Sequence, residues 1–414
     1  MPMIRSAGKR LRSRAETFLR QWWGPNLTWW DFATVGAPSP RFDVIPGDPL
    51  ARLGLSADEL EDADGPVRFR GTCRYLNAAS AVVSHSVDDT TEWLPVCLDV
   101  MDRYGIKSTV FVVTQREPLM SRLWPRLRQA IADGHEIGSH SRGHPCRVPD
   151  SLPFCLGRFT IDEIEGSRED ILRNSGQPHV WSWAYPCGNC ADRKFAQRKI
   201  ARAHYVAGRA YPCELQNRHA VPDLQDYDSN PYAARYTQIV QKGYSKFDSK
   251  GRKVAILGRT DPAALNGKFD EVVAAGGIYS FVSHPQMLDY GADGFYERHL
   301  AHIGGRADLW YVPMGPLYAF RTLSMETKVR QLRSTSAAAR FAVYNALDPK
   351  IYNGSITLEF ETGAPVTALA DGRKLAEHGS GPVTRWDGAY IRSAGKNLLV
   401  TVRPNTLLEF RFPE

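Results

Sequence analysis

Between about residue 79 and residue 320, the chain alternates short apolar runs with longer amphipathic segments. The apolar runs are rich in β-branched residues, as in residues 108–113 (STVFVV), which is typical of strands buried on both faces. In the longer segments, such as residues 93–104, apolar residues recur at a spacing of three or four, which predicts helices packed on a core. Strands that alternate with helices in this way predict repeated βα units and parallel strands.

No glycine-rich dinucleotide-binding motif accompanies these units, and a barrel is the natural closure for so many of them. The fold class predicted from the pattern is therefore α/β, with a βα barrel. The predicted strands occupy residues 81–83, 108–113, 135–137, 180–185, 205–207, 277–283 and 309–312. The predicted helices occupy residues 93–104, 122–132, 160–173, 193–203, 262–275 and 295–303, and Thr160 and Glu163 have the spacing of a capping box.

The hydrophobic pattern changes at residues 334–339 (STSAAA), where short alternating strands replace the βα units. Asp371-Gly372 supplies a hairpin turn among them. The sequence therefore predicts an N-terminal extension (1–65), a barrel (66–333) and a small C-terminal all-β module (334–414) resembling a β-sandwich. This module either binds glycan or packs against the barrel.

Composition excludes several classes of protein. Hydrophobic residues at 43% and charged residues at 23% are ordinary for a soluble globular protein. The net charge is +7, but the basic residues are scattered, so we predict no nucleic-acid partner. No apolar run reaches the length of about 18 residues that a membrane span requires.

The first thirty residues are basic and have no apolar core after the basic positions, so they fail as a secretory signal. We therefore predict a cytoplasmic protein. Leu11, Phe18, Leu19 and Trp22 would line one side of a helix. Such a helix either packs on the main domain or makes weak contact with a membrane surface.

The seven cysteines leave at least one thiol free, which favours a reducing compartment over a disulfide framework. Cys187 and Cys190 form a single C-x-x-C pair. Without a second pair, this spacing is only a weak indication of zinc binding or redox chemistry.

Three polar clusters each follow a predicted strand, and in βα barrels functional sites assemble at the carboxyl ends of the strands. Asp88 and Asp89 follow the first strand, and the pair could bind a metal or simply cap the next helix. His140 and His144, spaced i and i+4, could converge on one metal or be surface residues. His284 could be a general acid or a structural histidine.

In this order, with a Pro-Cys-Gly segment between the histidine pair and the late Ser-His, the clusters resemble the NodB-type polysaccharide deacetylases, a carbohydrate esterase family. The resemblance covers about residues 79–320. It implies a distorted βα barrel of about seven parallel strands and a divalent metal, usually zinc. It further implies that Asp89, His140 and His144 bind the metal, that Asp88 is the catalytic base and that His284 is the general acid.

Residues 183–188 (WAYPCG) occupy the place of the family's Arg-x-Pro-Tyr motif. By this resemblance, the backbone N–H of Cys187 would bind the oxyanion, and Tyr185 and Pro186 would contact substrate. The motif's arginine is replaced by Ala184, and Arg209 is a candidate to supply that charge. An acidic partner for the late histidine has three unranked candidates, Asp223, Asp226 and Asp228.

With this resemblance, the sequence predicts a metal-dependent hydrolase that removes acetyl groups from a polysaccharide or glycoconjugate, with zinc as the preferred metal and N-acetyl favoured over O-acetyl sugars. One alternative is a hydrolase of small-molecule amides or C–N bonds on the same fold. Another is a non-catalytic carbohydrate-binding protein with a degenerate site. Four tryptophans could either stack on sugars or belong to the core: Trp93, Trp124, Trp181 and Trp310.

Overall fold

The computed structural model describes residues 43–61, 65–146, 152–210, 226–227, 230–235, 238–247, 253–335, 337–378 and 388–413. The predicted N-terminal helix lies outside these residues. Among the described helices, none combines the length and the apolarity needed to cross a bilayer.

The strands and helices have the following bounds. The strands are β1 (Val67–Thr72), β2 (Ala81–Asp88), β3 (Ser108–Val112), β4 (Glu136–Ser139), β5 (Ser182–Ala184), β6 (Ala207–Arg209), β7 (Gln238–Ile239), β8 (Tyr244–Phe247), β9 (Lys253–Leu257), β10 (Ile278–Ser283), β11 (Leu309–Tyr311), β12 (Lys328–Leu332), β13 (Ala338–Tyr344), β14 (Ile356–Thr362), β15 (Thr367–Ala370), β16 (Arg373–Lys374), β17 (Ala376–Glu377), β18 (Tyr390–Ala394), β19 (Asn397–Val402) and β20 (Thr406–Arg411). The helices are α1 (Pro49–Arg52), α2 (Leu94–Arg103), α3 (Leu119–Ala132), α4 (Leu152–Arg158), α5 (Ser167–Ser175), α6 (Lys194–Arg202), α7 (Pro262–Ala274), α8 (Phe295–Ile303) and α9 (Met314–Glu326).

The central sheet confirms the predicted α/β fold with a distorted barrel of about seven parallel strands. Its strand order is β6-β5-β4-β3-β2-β10-β7, and β11 pairs with the beginning of β2. Every pairing in the sheet is parallel. The seven strands predicted from the apolar runs are all present, and the two-residue strand β7 is an addition at one edge.

Strand β2 shows why the sheet forms here, because all eight of its residues are buried. Ala81, Val83 and Val87 pack into the cluster that includes the apolar faces of the surrounding helices. Val82 belongs to the other cluster, which contains Trp181 and residues of the two five-stranded sheets. The apolar run at residues 81–83 therefore fits a strand that is covered on both faces.

Two further five-stranded sheets, ordered β1-β14-β19-β18-β17 and β12-β13-β20-β15-β16, account for the predicted all-β region. Their inner faces meet at aromatic contacts: Phe360 of β14 lies 5.1 Å from Phe341 and 4.8 Å from Phe410, measured between ring centroids. Asp371 and Gly372 join β15 to β16 with φ angles of 49° and 77°, as a tight hairpin turn requires.

These sheets include strands from both sides of the predicted domain boundaries. Strand β1 pairs with β14, and β12 pairs with β13 across the boundary near residue 334. From the predicted N-terminal extension, the N–H of Ile45 donates to the carbonyl of Ala346. Leu50 packs in a cluster with Leu332. The domain limits themselves stay a prediction.

The sequence-based preference against disulfide bonds was wrong, although the expected free thiols are present at Cys73 and Cys97. Cys146 is bonded to Cys187, and Cys155 is bonded to Cys190. The two members of the C-x-x-C pair therefore belong to different disulfides. An odd cysteine count shows that one thiol is left over but says nothing about how many others pair, since pairing depends on the fold. The inference of a reducing compartment loses its support, and the cytoplasmic location stays a prediction.

Candidate metal centre and active site

Strand β2 delivers the two carboxylates of the first predicted cluster. Asp88 is its last residue and is fully buried, whereas the side chain of Asp89 is 16% exposed. Asp89 has a φ of 72°, a left-handed conformation that is rare outside glycine. Strained backbone of this kind clusters at functional sites because the surrounding structure must hold it in place.

Asp89, His140 and His144 converge, and one ligand atom from each lies within 4.8 Å of the others. The distance to Asp89 Oδ1 is 3.9 Å from His140 Nε2 and 3.5 Å from His144 Nε2. The sequence thus predicted a set of residues that the fold brings together from the ends of β2 and β4. Two imidazoles with one carboxylate form a donor set suited to a divalent transition metal with open coordination positions.

The orientation of His140 suits a metal ligand. Its Nδ1–H donates to the carbonyl of Ala184, 2.9 Å away, so Nε2 is left with its lone pair facing Asp89. A backbone carbonyl that fixes the tautomer in this way is the usual partner of a metal-binding histidine.

The protonation states of the three residues also fit a cation. Burial lowers the pKa of His140, and burial together with the neighbouring His140 lowers the pKa of His144 to about 4. Burial opposes ionisation of Asp89, but His140, His284 and His144 outweigh it and lower the pKa of this carboxyl. At neutral pH, the cluster therefore offers two neutral imidazoles and one carboxylate, which are the forms that bind metal.

The loop that carries both histidines is held by a carboxylate from outside it. Glu163 Oε2 accepts the backbone N–H groups of Arg142 at 3.0 Å and Gly143 at 2.9 Å. The predicted capping box was therefore only half right. Thr160 does accept the N–H of Glu163, at 3.3 Å, but the Glu163 carboxylate binds the histidine loop. The segment Asp162–Gly166 is a π-helix leading into α5.

Arg142 fastens the same loop to α5. Its guanidinium makes two hydrogen bonds to Asp170, of 2.8 Å and 2.9 Å, and also contacts Asp162. Within the loop, Ser141 Oγ accepts the N–H of His144 at 2.9 Å. These hydrogen bonds could not be predicted from the sequence. The one signal for them was the arginine between the two histidines.

Arg209 lies beside Asp88, as the sequence suggested for the missing motif arginine. Its guanidinium donates to Asp88 Oδ2, and the two side chains are 2% and 0% exposed. The guanidinium also lies 5.3 Å from the ring centroid of Phe111. Among the described residues, none makes a hydrogen bond to Asp88 Oδ1. One carboxylate oxygen is thus fixed by a cation while the other can still accept a proton.

His284 follows β10, two residues before Gln286, and it helps to lower the pKa of Asp89. Its Nδ1 faces the side-chain oxygen of the buried Gln241. None of the predicted aspartates is seen in this position: Asp226 pairs with Arg74, and Asp223 and Asp228 lie outside the described residues. Gln286 donates to Asp89 Oδ2 at 3.1 Å and so links the loop after β10 to the loop after β2.

The remaining predicted site residues lie in the segment that follows β5. Cys187 has a φ of 53° and is bonded to Cys146, two residues beyond His144. The disulfide therefore ties the predicted oxyanion residue to the histidine loop. The side chain of Tyr185 is fully buried and donates to the carbonyl of Tyr232 at 2.8 Å, and Pro186 is buried as well. Neither side chain is open to substrate in this structure.

A known protein family matches the part of the chain that carries most of these residues. The family model described as polysaccharide deacetylase matches residues 77–206, which include both aspartates, both histidines of the cluster and the Cys187 segment. The resemblance to polysaccharide deacetylases is confirmed. No curated protein matches the chain in sequence.

Solved structures resemble the chain at low identity. The polysaccharide deacetylase of Bacillus cereus is 11% identical with a TM-score of 0.32, covering 54% of this chain and 86% of that one. The family 4 carbohydrate esterase of Streptomyces lividans, solved with acetate, is 12% identical with a TM-score of 0.30, covering 55% and 88%. Puue allantoinase is 12% identical with a TM-score of 0.40, covering 60% and 92%. Likenesses at this level do not identify a substrate.

Proposed function

We propose that the chain is a metal-dependent deacetylase that removes acetyl groups from sugars of a polysaccharide or glycoconjugate. The observation that carries the proposal is the convergence of Asp89, His140 and His144 within a segment that matches the polysaccharide deacetylase family. An acetylated carbohydrate is accordingly the proposed partner.

Asp89, His140 and His144 are the proposed ligands of a divalent cation, with zinc preferred because imidazole and carboxylate are common zinc ligands. When bound, such a cation supplies Lewis acidity that polarises a carbonyl and lowers the pKa of a water molecule. The fixed tautomer of His140 and the depressed pKa of Asp89 support this assignment.

Asp88 is the proposed general base. Its Oδ1 would take a proton from the water that attacks the acetyl carbon. Arg209 acts as a positioning residue, because its ion pair with Oδ2 holds the carboxylate in place. In this arrangement, Arg209 takes the role of the family motif's arginine, whose position in this chain is occupied by Ala184.

His284 is the proposed general acid. The side-chain oxygen of Gln241 accepts the Nδ1–H, so Nε2 is the nitrogen that would deliver a proton to the leaving nitrogen or oxygen of the sugar. The backbone N–H of Cys187 is the proposed donor to the oxyanion, a contribution worth about 3 kcal/mol in comparable sites. The carbon–nitrogen or carbon–oxygen bond then breaks and leaves acetate and the free sugar.

Acetate release from N- and O-acetylated oligosaccharides tests this function. We expect release from zinc-loaded protein, with N-acetyl sugars preferred, and none after chelation or in Asp88→Asn. Asp99→Asn, which changes an exposed aspartate on α2, is the matched control and should retain the wild-type rate. Stoichiometric zinc without release from any sugar would instead favour a small-molecule amide hydrolase, and failure to bind zinc would refute the metal site.

A further inference from the structure

An aromatic pair, the exposed Trp93 and the partly buried Tyr290, lies on the loops that form the candidate active site. Trp93 stacks on Tyr290 with 5.6 Å between ring centroids and an angle of 7° between the planes. Trp93 is 51% exposed. The other three tryptophans considered as sugar contacts are core residues: Trp124, Trp181 and Trp310 are 7%, 5% and 0% exposed.

The pair shares its two loops with the proposed catalytic residues. Trp93 follows Asp89 by four residues, so their Cα atoms lie at most about 14 Å apart. Tyr290 donates its hydroxyl proton to the carbonyl of Pro285 at 2.7 Å, next to His284. Gln286, which follows Pro285, donates to Asp89 and so links the two loops at the metal cluster.

Both rings are held in place. The carbonyl of Trp93 accepts the N–H of Cys97 at 3.0 Å, which fixes Trp93 at the start of α2. Tyr290 also packs edge-on against the buried Tyr296, with 6.2 Å between centroids. A rigid aromatic side chain gives contact area at a low cost in conformational entropy, so it suits a binding platform.

A ligand that stacks on the exposed indole would have an apolar face and polar edges. Val96, one helical turn along α2, is also 41% exposed and extends the apolar surface beside Trp93. A pyranose ring has this character, because its axial C–H groups form an apolar face while its hydroxyl groups point outward to water. An offset aromatic surface at the edge of a hydrolytic site can bind such a ring without excluding it from the solvent.

We propose that Trp93, supported by Tyr290, is a stacking platform for a pyranose unit next to the acetylated sugar. This inference rests on the proposed function and makes it more specific, because it assigns a binding site to a neighbouring sugar of an oligomer rather than to the acetyl group. A platform of this kind favours oligosaccharide substrates over isolated monosaccharides.

Calorimetric titration tests the platform without turnover, in protein that also carries Asp88→Asn. The probes are β-1,4-linked N-acetylglucosamine oligomers of increasing length and acetylated xylo-oligosaccharides. We expect affinity to increase from monomer to oligomer, and Trp93→Ala to weaken oligomer binding by about tenfold or more. Trp93→Phe should recover part of the affinity. Met325→Ala, which removes another exposed apolar side chain, is the control and should bind as the parent does.

Equal affinity of Trp93→Ala and its parent for every probe would overturn the platform. It would also be overturned if the parent bound neither series of oligosaccharides. These outcomes are distinct from failure of the proposed function, which is measured as acetate release from zinc-loaded wild-type protein. If binding depends on Trp93 but no acetate is released, the platform stands and the deacetylase proposal falls.

Discussion

Arg209 on β6 and Asp88 on β2 form a buried ion pair although three strands separate them in the sheet. Two side chains so far apart along a flat sheet could not touch. They meet because the sheet curls, which brings its edge strand across the interior towards β2. The pair therefore connects the curvature of the fold directly to the proposed catalytic base.

Removing the Arg209 guanidinium should lower both the stability of the protein and the activity of Asp88 as a base. Arg209→Met leaves a buried carboxylate without its cation, so we expect destabilisation on the order of 3–5 kcal/mol. We also expect a fall in kcat of about 100-fold, with less change in KM, because a displaced Asp88 is a poorer base. Urea unfolding and acetate-release kinetics measure the two effects.

Arg209→Lys separates positioning from simple structural support. It keeps the positive charge but loses the planar fork of donors, so it should recover part of the stability and of kcat. A wild-type kcat in folded Arg209→Met protein would contradict the role assigned to this residue.

The residues that could be predicted from sequence share one property: each lies at the end of a recognisable strand or directly after it. Asp88, Asp89, His140 and His284 are of this kind. Parallel strands end at the same edge of the sheet, so local pattern was enough to bring these residues together. Arg209 could be suggested for the same reason.

The supporting residues could not be predicted, because their partners are set by tertiary structure. Glu163 was taken as part of a capping box, which is a local motif, and it binds a loop some twenty residues earlier in the chain. Gln241, which faces His284, carried no signal in the sequence because the two residues lie more than forty positions apart. The disulfides likewise depend on how the segment after β5 lies against the histidine loop.

The two hydrogen bonds from the histidine loop to Glu163 should strengthen metal binding. In Glu163→Gln, one neutral oxygen must replace a charged acceptor of two N–H groups, so the loop should be held less firmly. We expect zinc affinity to fall by about 10- to 100-fold, as is usual when a residue that orients metal ligands is changed. Competition with a chromophoric chelator measures this affinity.

Glu169→Gln is the matched control, because Glu169 lies on α5 and is exposed to solvent. It should bind zinc as the wild type does. The proposed support of the loop by Glu163 is wrong if both variants have the same affinity.

The disulfide between Cys146 and Cys187 should stabilise the fold and the site together. It links positions 41 residues apart, and closing a loop of that length corresponds to about 4 kcal/mol in the chain-entropy account. The double variant Cys146→Ser with Cys187→Ser should therefore unfold at lower urea concentration. It should also lose acetate release, since the bond joins the histidine loop to the proposed oxyanion donor.

Cys73→Ser provides the control, because Cys73 is an unpaired cysteine in the structure. Cys73→Ser should change neither the urea unfolding midpoint nor the rate of acetate release. Peptide mapping without reduction should recover Cys146 linked to Cys187 and Cys155 linked to Cys190. Recovery of these four residues as free thiols from freshly purified protein would contradict both disulfides.

A lysine in the core should give the stability of the protein a distinct pH dependence. Lys199 on α6 is 5% exposed, and its Nζ donates to the carbonyl of Phe159 at 2.7 Å. Burial lowers its pKa to about 6 from an ordinary value of 10.5. Between these two values, the unfolded chain carries a proton on this residue that the folded protein has lost. The free energy of unfolding should therefore rise with pH through this window.

The slope contributed by one such proton is about 1.4 kcal/mol per pH unit. In Lys199→Met this contribution disappears, so the difference in unfolding free energy between wild type and variant should grow in favour of wild type from pH 7 to pH 9. Urea unfolding at several pH values measures it, with the exposed Lys374→Met as control. Parallel pH curves for wild type and Lys199→Met would show that this lysine keeps an ordinary pKa in the folded protein.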